Sequence, residues 1–329
     1  MSRPFAPLPD VLGATFTAAA ARAAGVSSRR LQAPDVERVL RGVYRRVGAH
    51  RPPAPTTHPS ERWRIDQVAR AHALAAGLGP SEYLSHRTAA ALLGLPVPMP
   101  ADRNDALDVA ATPPARVSRR NGIRGHHLRA GLAKVQTLNG IRVASAASVW
   151  AMLAGDLTPP DLVALGDAVI HRARIPGTHR LTHPPLAALE ELGAHVARGQ
   201  RHGIAALRRA FRLLSTASAS APESHLRLKV AEWGFPPPAL DYDVYDHHGA
   251  LLGASEIAFP EYRVALEYEG DHHRIEQRQW NRDIAKYEAY ARAGWHPIRV
   301  TASLLYRPSS PLRSTIATTL RQRGWRPRP

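Results

Sequence analysis

Cysteine is absent from all 329 residues, which excludes disulfides and thiolate metal sites. Apolar runs of membrane-spanning length are also absent, and Met1-Ser2-Arg3-Pro4 leads into no signal-peptide core. The expectation is a cytoplasmic chain with no membrane partner. Acids are scarce: 27 Asp+Glu stand against 44 Lys+Arg, a formal net charge of +17. What is present is an apolar content of 44%, enough for real cores, in a chain long enough for two or three domains. No internal repeat of solenoid period occurs.

The charge is unevenly placed. Residues 223–306 carry 9 Lys+Arg and 13 Asp+Glu, residues 1–222 carry 29 and 14, and residues 307–329 carry 6 and none. A locally acidic segment between basic ones suits a polyanionic partner such as DNA. Charge by itself is equally compatible with a solvated surface.

The acidic segment centres on Val264-Ala265-Leu266-Glu267-Tyr268-Glu269-Gly270-Asp271-His272-His273. Val264, Leu266 and Tyr268 alternate with Ala265, Glu267 and Glu269, the period of a strand, so the two carboxylates point the same way. Gly270 stops the strand and His272 and His273 follow. Carboxylates at a strand end beside imidazoles can hold a hard divalent cation against a phosphate. A solvated acidic strand face is the plainer alternative. Upstream, Glu223–Trp233 reads as a helix with Leu226, Val230 and Trp233 at helical spacing, and Ala254–Pro260 as a strand carrying Glu256. Downstream, Trp280, Ile284, Tyr287 and Ala291 form the stripe of an amphipathic helix ended by Gly294, and residues 295–300 supply a last strand. The order helix, strand, strand, helix, strand predicts that Glu223, Glu256, Glu267 and Glu269 converge.

This stretch resembles the PD-(D/E)XK nuclease superfamily, in the branch similar to the very-short-patch-repair endonuclease, in actinobacterial form. The matching pieces are Pro222-Glu223-Ser224, Glu256-Ile257-Ala258-Phe259-Pro260-Glu261, Glu267 to His273, Gln279-Trp280-Asn281-Arg282-Asp283, Gly294-Trp295 and Arg299. The resemblance implies metal-dependent hydrolysis of DNA phosphodiesters. Mg2+ or Mn2+ would be held by Glu256, Glu267 and the main-chain carbonyl of Tyr268, with Glu223 orienting the site. Glu269 would stand as a third acid, and His272 or His273 would act as base or phosphate contact. Asp283 and Arg299 would pin helix to strand. The chain has Glu256 and Glu269 where the family has Asp, which lengthens each arm by one methylene. The superfamily's strand lysine is absent after Glu267.

At the N-terminus, Thr15–Ala24 reads as an alanine-rich helix ended by Gly25, and Ser27 as the cap of a second helix, Ser28–Ala33. Val36–Leu40 and Val43–Val47 around Arg41-Gly42 read as a hairpin. The outline is a winged helix-turn-helix, in which Arg29, Arg30, Arg41, Arg45 and Arg46 would meet DNA. Leu40-Arg41-Gly42-Val43-Tyr44 resembles the N-terminal domain of AbiEi-type antitoxins, which implies a cognate toxin protein as a further partner. The middle of the chain, in His86-Arg87-Thr88-Ala89-Ala90 and Gly166-Asp167-Ala168-Val169, is similar to the α/β linker domain of the same proteins. His126-His127 and His171, His179 and His183 lack metal-ligand spacing and read as surface or packing residues.

The expected fold class is α/β (α+β). Its parts are a winged helix-turn-helix over 1–50, an α/β linker domain over 57–214 and a small-residue linker over 215–221. A PD-(D/E)XK restriction-endonuclease-like domain over 222–306 and a basic C-terminal tail over 307–329 complete it. The expected function is a metal-dependent DNA endonuclease, with a DNA-binding, antitoxin-like regulator on an inactive nuclease fold as the alternative.

Overall fold

A computed structural model describes residues 5–49, 58–102, 105–270 and 277–327, and for 277–283 the backbone alone. The architecture is mixed α/β with three sheets among the described residues. The chain forms two compact units, Met1–Asp156 with Glu190–Leu207, and Leu157–Leu189 with Arg208–Pro329. Among the described residues no helix is long and apolar enough to cross a membrane.

The first unit begins with β1 (Thr15–Thr17), α1 (Ala18–Ala23), β2 (Val36–Leu40) and β3 (Val43–Arg46). The helix expected from Thr15 starts three residues late, because residues 15–17 pair antiparallel with β3 and the Thr17 hydroxyl caps α1 at the Ala20 N–H, 3.0 Å away. The second expected helix is one turn of 3-10 helix, Arg30–Gln32. Its continuation stops at Ala33, which is extended ahead of Pro34. The hairpin forms as expected, with Gly42 at φ 79° in its turn.

Next come α2 (Pro59–Ala75), β4 (Glu82–Leu84), α3 (His86–Leu92), β5 (Leu107–Ala111), β6 (Ile123–His127), β7 (Val135–Leu138), β8 (Ile141–Ala144) and α4 (Ala146–Met152). Residues 117–120 are loop. The five strands form a mixed sheet in the order β6-β5-β4-β8-β7. Asp108, buried in β5, accepts the Arg87 N–H at 3.1 Å and lies 2.8 Å from His126 Nε2. The His86 ring stacks on His126 at 3.7 Å, and burial with that neighbour pushes the His86 pKa down to about 4. These two histidines pack on each other beside Asp108.

The chain enters the second unit with α5 (Pro159–Ile170), returns to the first within α6 (Leu189–Ala197) and leaves it again within α7 (Ile204–Phe211). The rest is α8 (Ala221–Glu232), β9 (Ala239–Tyr245), β10 (Leu251–Phe259), β11 (Val264–Glu269), α9 (Gln277–Arg292), β12 (His296–Thr301), α10 (Ala302–Tyr306) and α11 (Leu312–Gln322). The sheet order is β12-β11-β10-β9. β9, β10 and β11 run antiparallel in turn, and β12 is parallel to β11. One face carries Ile257, Phe259, Val264 and Leu266, packed with Leu226 and Val230 of α8. Leu312, Ile316 and Leu320 of α11 join that core, so the helix read as part of a basic tail helps to close it. The other face carries Val244, Ala258 and Ala265 beneath Tyr290 of α9 and Trp295. α5 also belongs here: its Asp167, fully buried, accepts from the Ser224 hydroxyl at 2.7 Å, Arg227 at 2.8 Å and the Ser215 N–H at 2.7 Å.

Candidate active site

β11 brings Glu267 into the sheet interior, only 3% exposed. Ile257 pairs with Leu266, so the next residues of the two strands are Glu256 and Glu267. The Tyr268 N–H donates to Glu256 Oε2 at 2.7 Å, a bond that uses the longer arm of glutamate to reach across to the neighbouring strand. Glu223 arrives from the first turn of α8. Ser220 caps that helix at the Glu223 N–H, while Glu223 Oε2 accepts from the Ala219 N–H at 2.8 Å, one residue before the cap.

Three acids thus share one site. Burial raises the Glu256 pKa well above the ordinary carboxylate range, and repulsion by Glu223 and Glu267 adds to it. Burial also raises Glu223, with Glu267 and Asp241 contributing. Glu269 does not join them. Arg299 grips it through both Nε–Oε1 and an Nη2–Oε2 bond of 2.7 Å, and the Tyr287 hydroxyl adds a 3.5 Å contact. Arg299 therefore ties β12 to the end of β11. His272 and His273 lie outside the described residues, and so does the side chain of Asp283.

Sequence reasoning missed the group that faces Glu267. Lys286 of α9 donates from Nζ to Glu267 Oε2 at 2.8 Å, and its charge acts on Glu256 as well. The expected apolar stripe pointed elsewhere: Ile284 is exposed, whereas Tyr290 is fully buried with Lys286 Nζ 5.3 Å from its ring centre. The inward face of α9 is set by Lys286 and Tyr290, four residues apart and so on one side of the helix. Gly253 of β10, at φ 149° beside an irregularity in the β9–β10 register, lies against both.

A cleft of about 250 Å³ opens beside the acids, lined by Glu223, Glu256, Asp241, His171, Arg174 and Ser255 among others. Asp241 holds φ 46°, a strained value for a non-glycine residue. Arg174 fixes it, donating to Asp241 Oδ2 at 2.9 Å and to Asp243 Oδ2 at 2.5 Å. A second cleft of about 300 Å³ shares Arg174 and Asp241 and adds Arg172 and His179. The acids thus adjoin a groove in which residues 171–181, outside the stretch that carried the nuclease resemblance, supply Arg172 and His179 beside the Arg174–Asp241 pair.

The donor chemistry fits a hard divalent cation: oxygen ligands, one on the buried Glu267 and one on the half-buried Glu256, whose mutual repulsion a cation would relieve. Among the described residues, no group of three or more His, Asp or Glu side chains stands in ligating geometry. Glu256 and Glu267 are instead engaged by the Tyr268 N–H and by Lys286.

The five arginines expected to contact DNA separate into two groups. Arg30 forms a two-point ion pair with Asp35 at 2.8 and 2.6 Å, and Arg45 pairs with Glu37 at 2.8 Å. Arg46 donates to the carbonyls of Gly13, Leu8 and Pro9. Those three hold the module together. Arg29 and Arg41 are exposed.

Two uncharacterized proteins, from two strains of Mycobacterium tuberculosis, are each 29% identical to the chain over 197 residues, 59% of this chain and 67% of theirs. No family model and no solved structure matches.

Proposed function

We propose that the second unit is a metal-dependent DNA endonuclease site of the PD-(D/E)XK kind. The observation that carries this reading is the convergence of Glu223 and Lys286 on Glu256 and Glu267, which stand on the two inner strands of one sheet. Glu256, Glu267 and the Tyr268 carbonyl would hold Mg2+ or Mn2+. When bound, that ion supplies Lewis-acid activation of water and neutralises charge on the phosphate. Glu256 gives up the proton that its raised pKa retains. Lys286 Nζ, aimed by Glu267, donates to the attacking water or to a non-bridging phosphate oxygen as negative charge develops. Glu223 holds the start of α8 against the strand ends. Arg172 and His179 line the groove that would seat flanking phosphates. Glu269, neutralised by Arg299, anchors the strand end and takes no part in the chemistry.

One observation favours the second reading, a DNA-binding regulator on an inactive nuclease fold with a toxin protein as partner. Glu256 and Glu267 already have protein partners, so a cation must displace Lys286 or share Glu267 with it. Cleavage of supercoiled plasmid and of single-stranded DNA, with Mg2+ and with Mn2+, separates the readings. The nuclease reading expects cutting by the wild-type protein that is lost in Glu267→Ala. Absence of cutting with both metals on both substrates would leave the regulator as the better account.

A further inference from the structure

We infer that the first unit carries a separate binding site for the phosphate backbone of duplex DNA. It is formed by two clefts on either side of the turn that joins β2 to β3. The choice of DNA as ligand rests on the function proposed above; the placement of the site does not. One cleft, of about 560 Å³, is lined by Arg38, Arg41 and Arg70. The other, of about 660 Å³, is lined by Arg41, Arg119 and Arg120. Among the described residues no acidic side chain lines either cleft, and five guanidinium groups lie in their walls; Asp105 and Asp66 act on that of Arg70 from outside the lining.

The contrast within the hairpin is informative. Arg30, Arg45 and Arg46 face carboxylates or carbonyls of their own module, whereas Arg38, Arg41 and Arg119 are exposed. The clefts also have a fixed floor. Arg70 Nη1 donates to the Asp105 carbonyl at 2.5 Å, which holds its guanidinium in place. Gly122, at φ 83°, lets the loop approach the hairpin so closely that a Cβ there would lie 2.8 Å from Leu40 Cδ2. On the other side, a Cβ at Gly77 would lie 2.8 Å from Arg120 Nη1. Anchored and exposed cations around a protruding turn suit a ligand with regularly repeated negative charge, and Arg is the residue that pairs with phosphate in a two-point geometry. The recognition surface is therefore the hairpin turn with the 119–122 loop, and the one-turn helix at Arg30 has no part in it.

The test is the salt dependence of binding to a short labelled duplex, read by fluorescence anisotropy with EDTA present so that no cutting intervenes. Arg38→Ala/Arg41→Ala/Arg119→Ala alters exposed side chains only, and Arg22→Ala/Arg29→Ala/Arg129→Ala removes the same charge elsewhere on the unit. The log–log slope is expected to fall by about 0.9 for each phosphate that the first variant no longer neutralises, and to stay near the wild-type value in the second. Arg41→Glu alone should weaken binding more than Arg41→Ala. An equal fall in both triple variants, or a fall in neither, would overturn the inference. Plasmid cutting by the same proteins keeps the two proposals apart. Cutting with an unchanged slope would sink this site alone, and a changed slope without cutting would sink the nuclease reading alone.

Discussion

At the scale of single residues, the second unit holds more buried negative charge than its neighbours offset. Glu256 and Glu223 keep protons that the unfolded chain releases above its ordinary carboxylate pKa, so their deprotonation lowers stability as pH rises. Glu256→Gln is expected to raise the melting temperature at neutral pH and to flatten this dependence; an unchanged or lower value would show that the carboxylate is well compensated. Lys286→Met leaves Glu267 buried without its ion-pair partner and should cost about 3 kcal/mol. Glu267→Gln/Lys286→Met should recover most of that loss, measured by urea unfolding of the four proteins. Additive losses would mean that the two residues act apart. The acids were legible in the sequence because strand alternation fixes the direction of a side chain. Lys286 was not, because the apolar spacing of Trp280, Ile284, Tyr287 and Ala291 pointed to a different face of α9.

At the scale of elements, the arginines of the first module make a distinction that charge alone could not. Arg46→Ala abandons three main-chain carbonyls and is expected to destabilise the protein by about 1–3 kcal/mol with little effect on the DNA salt slope. A slope change without a stability change would return Arg46 to the binding surface. The hairpin was readable from two β-rich runs about an Arg-Gly turn. The one-turn helix was not, because Pro34 stops what Ser27 begins. β9 escaped notice because Asp is disfavoured in strands and three prolines precede it, Pro236 to Pro238. Yet Asp241 and Asp243 of that strand fix Arg174 beside the acids.

At the scale of the whole molecule, the chain crosses between its two units more than once. α5 supplies Asp167 to the second unit, so a fragment spanning 215–329 lacks a buried partner for Ser224 and Arg227. It should unfold at lower urea than the same residues in the full chain, and equal midpoints would contradict this. The first unit should also answer pH through its buried histidines. His86 and His195 have pKa values pushed down to about 4 by burial, so the unfolded first unit binds protons that the folded one refuses. Its stability is lost as pH falls from about 6.5 towards 4. In the second unit the raised carboxylates give up stability as pH rises, while burial of His171 and His296 acts the other way. Calorimetry across that range should find a flatter loss of stability on acidification in His86→Gln than in the wild-type protein, and an unchanged dependence would refute the assignment. The sequence foretold a basic α/β chain with an acidic segment near its end. It could not foretell which distant residues complete each unit, since pairings such as Asp167 with Arg227 leave no local pattern.

The central claim is that the buried acids of the second unit take a divalent cation. Titration calorimetry with Mn2+ near neutral pH, run in two buffers of different ionisation enthalpy, reads both binding and the protons it expels. The account predicts saturable uptake with proton release by the wild-type protein, uptake with a smaller release by Glu256→Gln, and no uptake by Glu267→Ala. No uptake by the wild-type protein, or uptake indifferent to both substitutions, would contradict it.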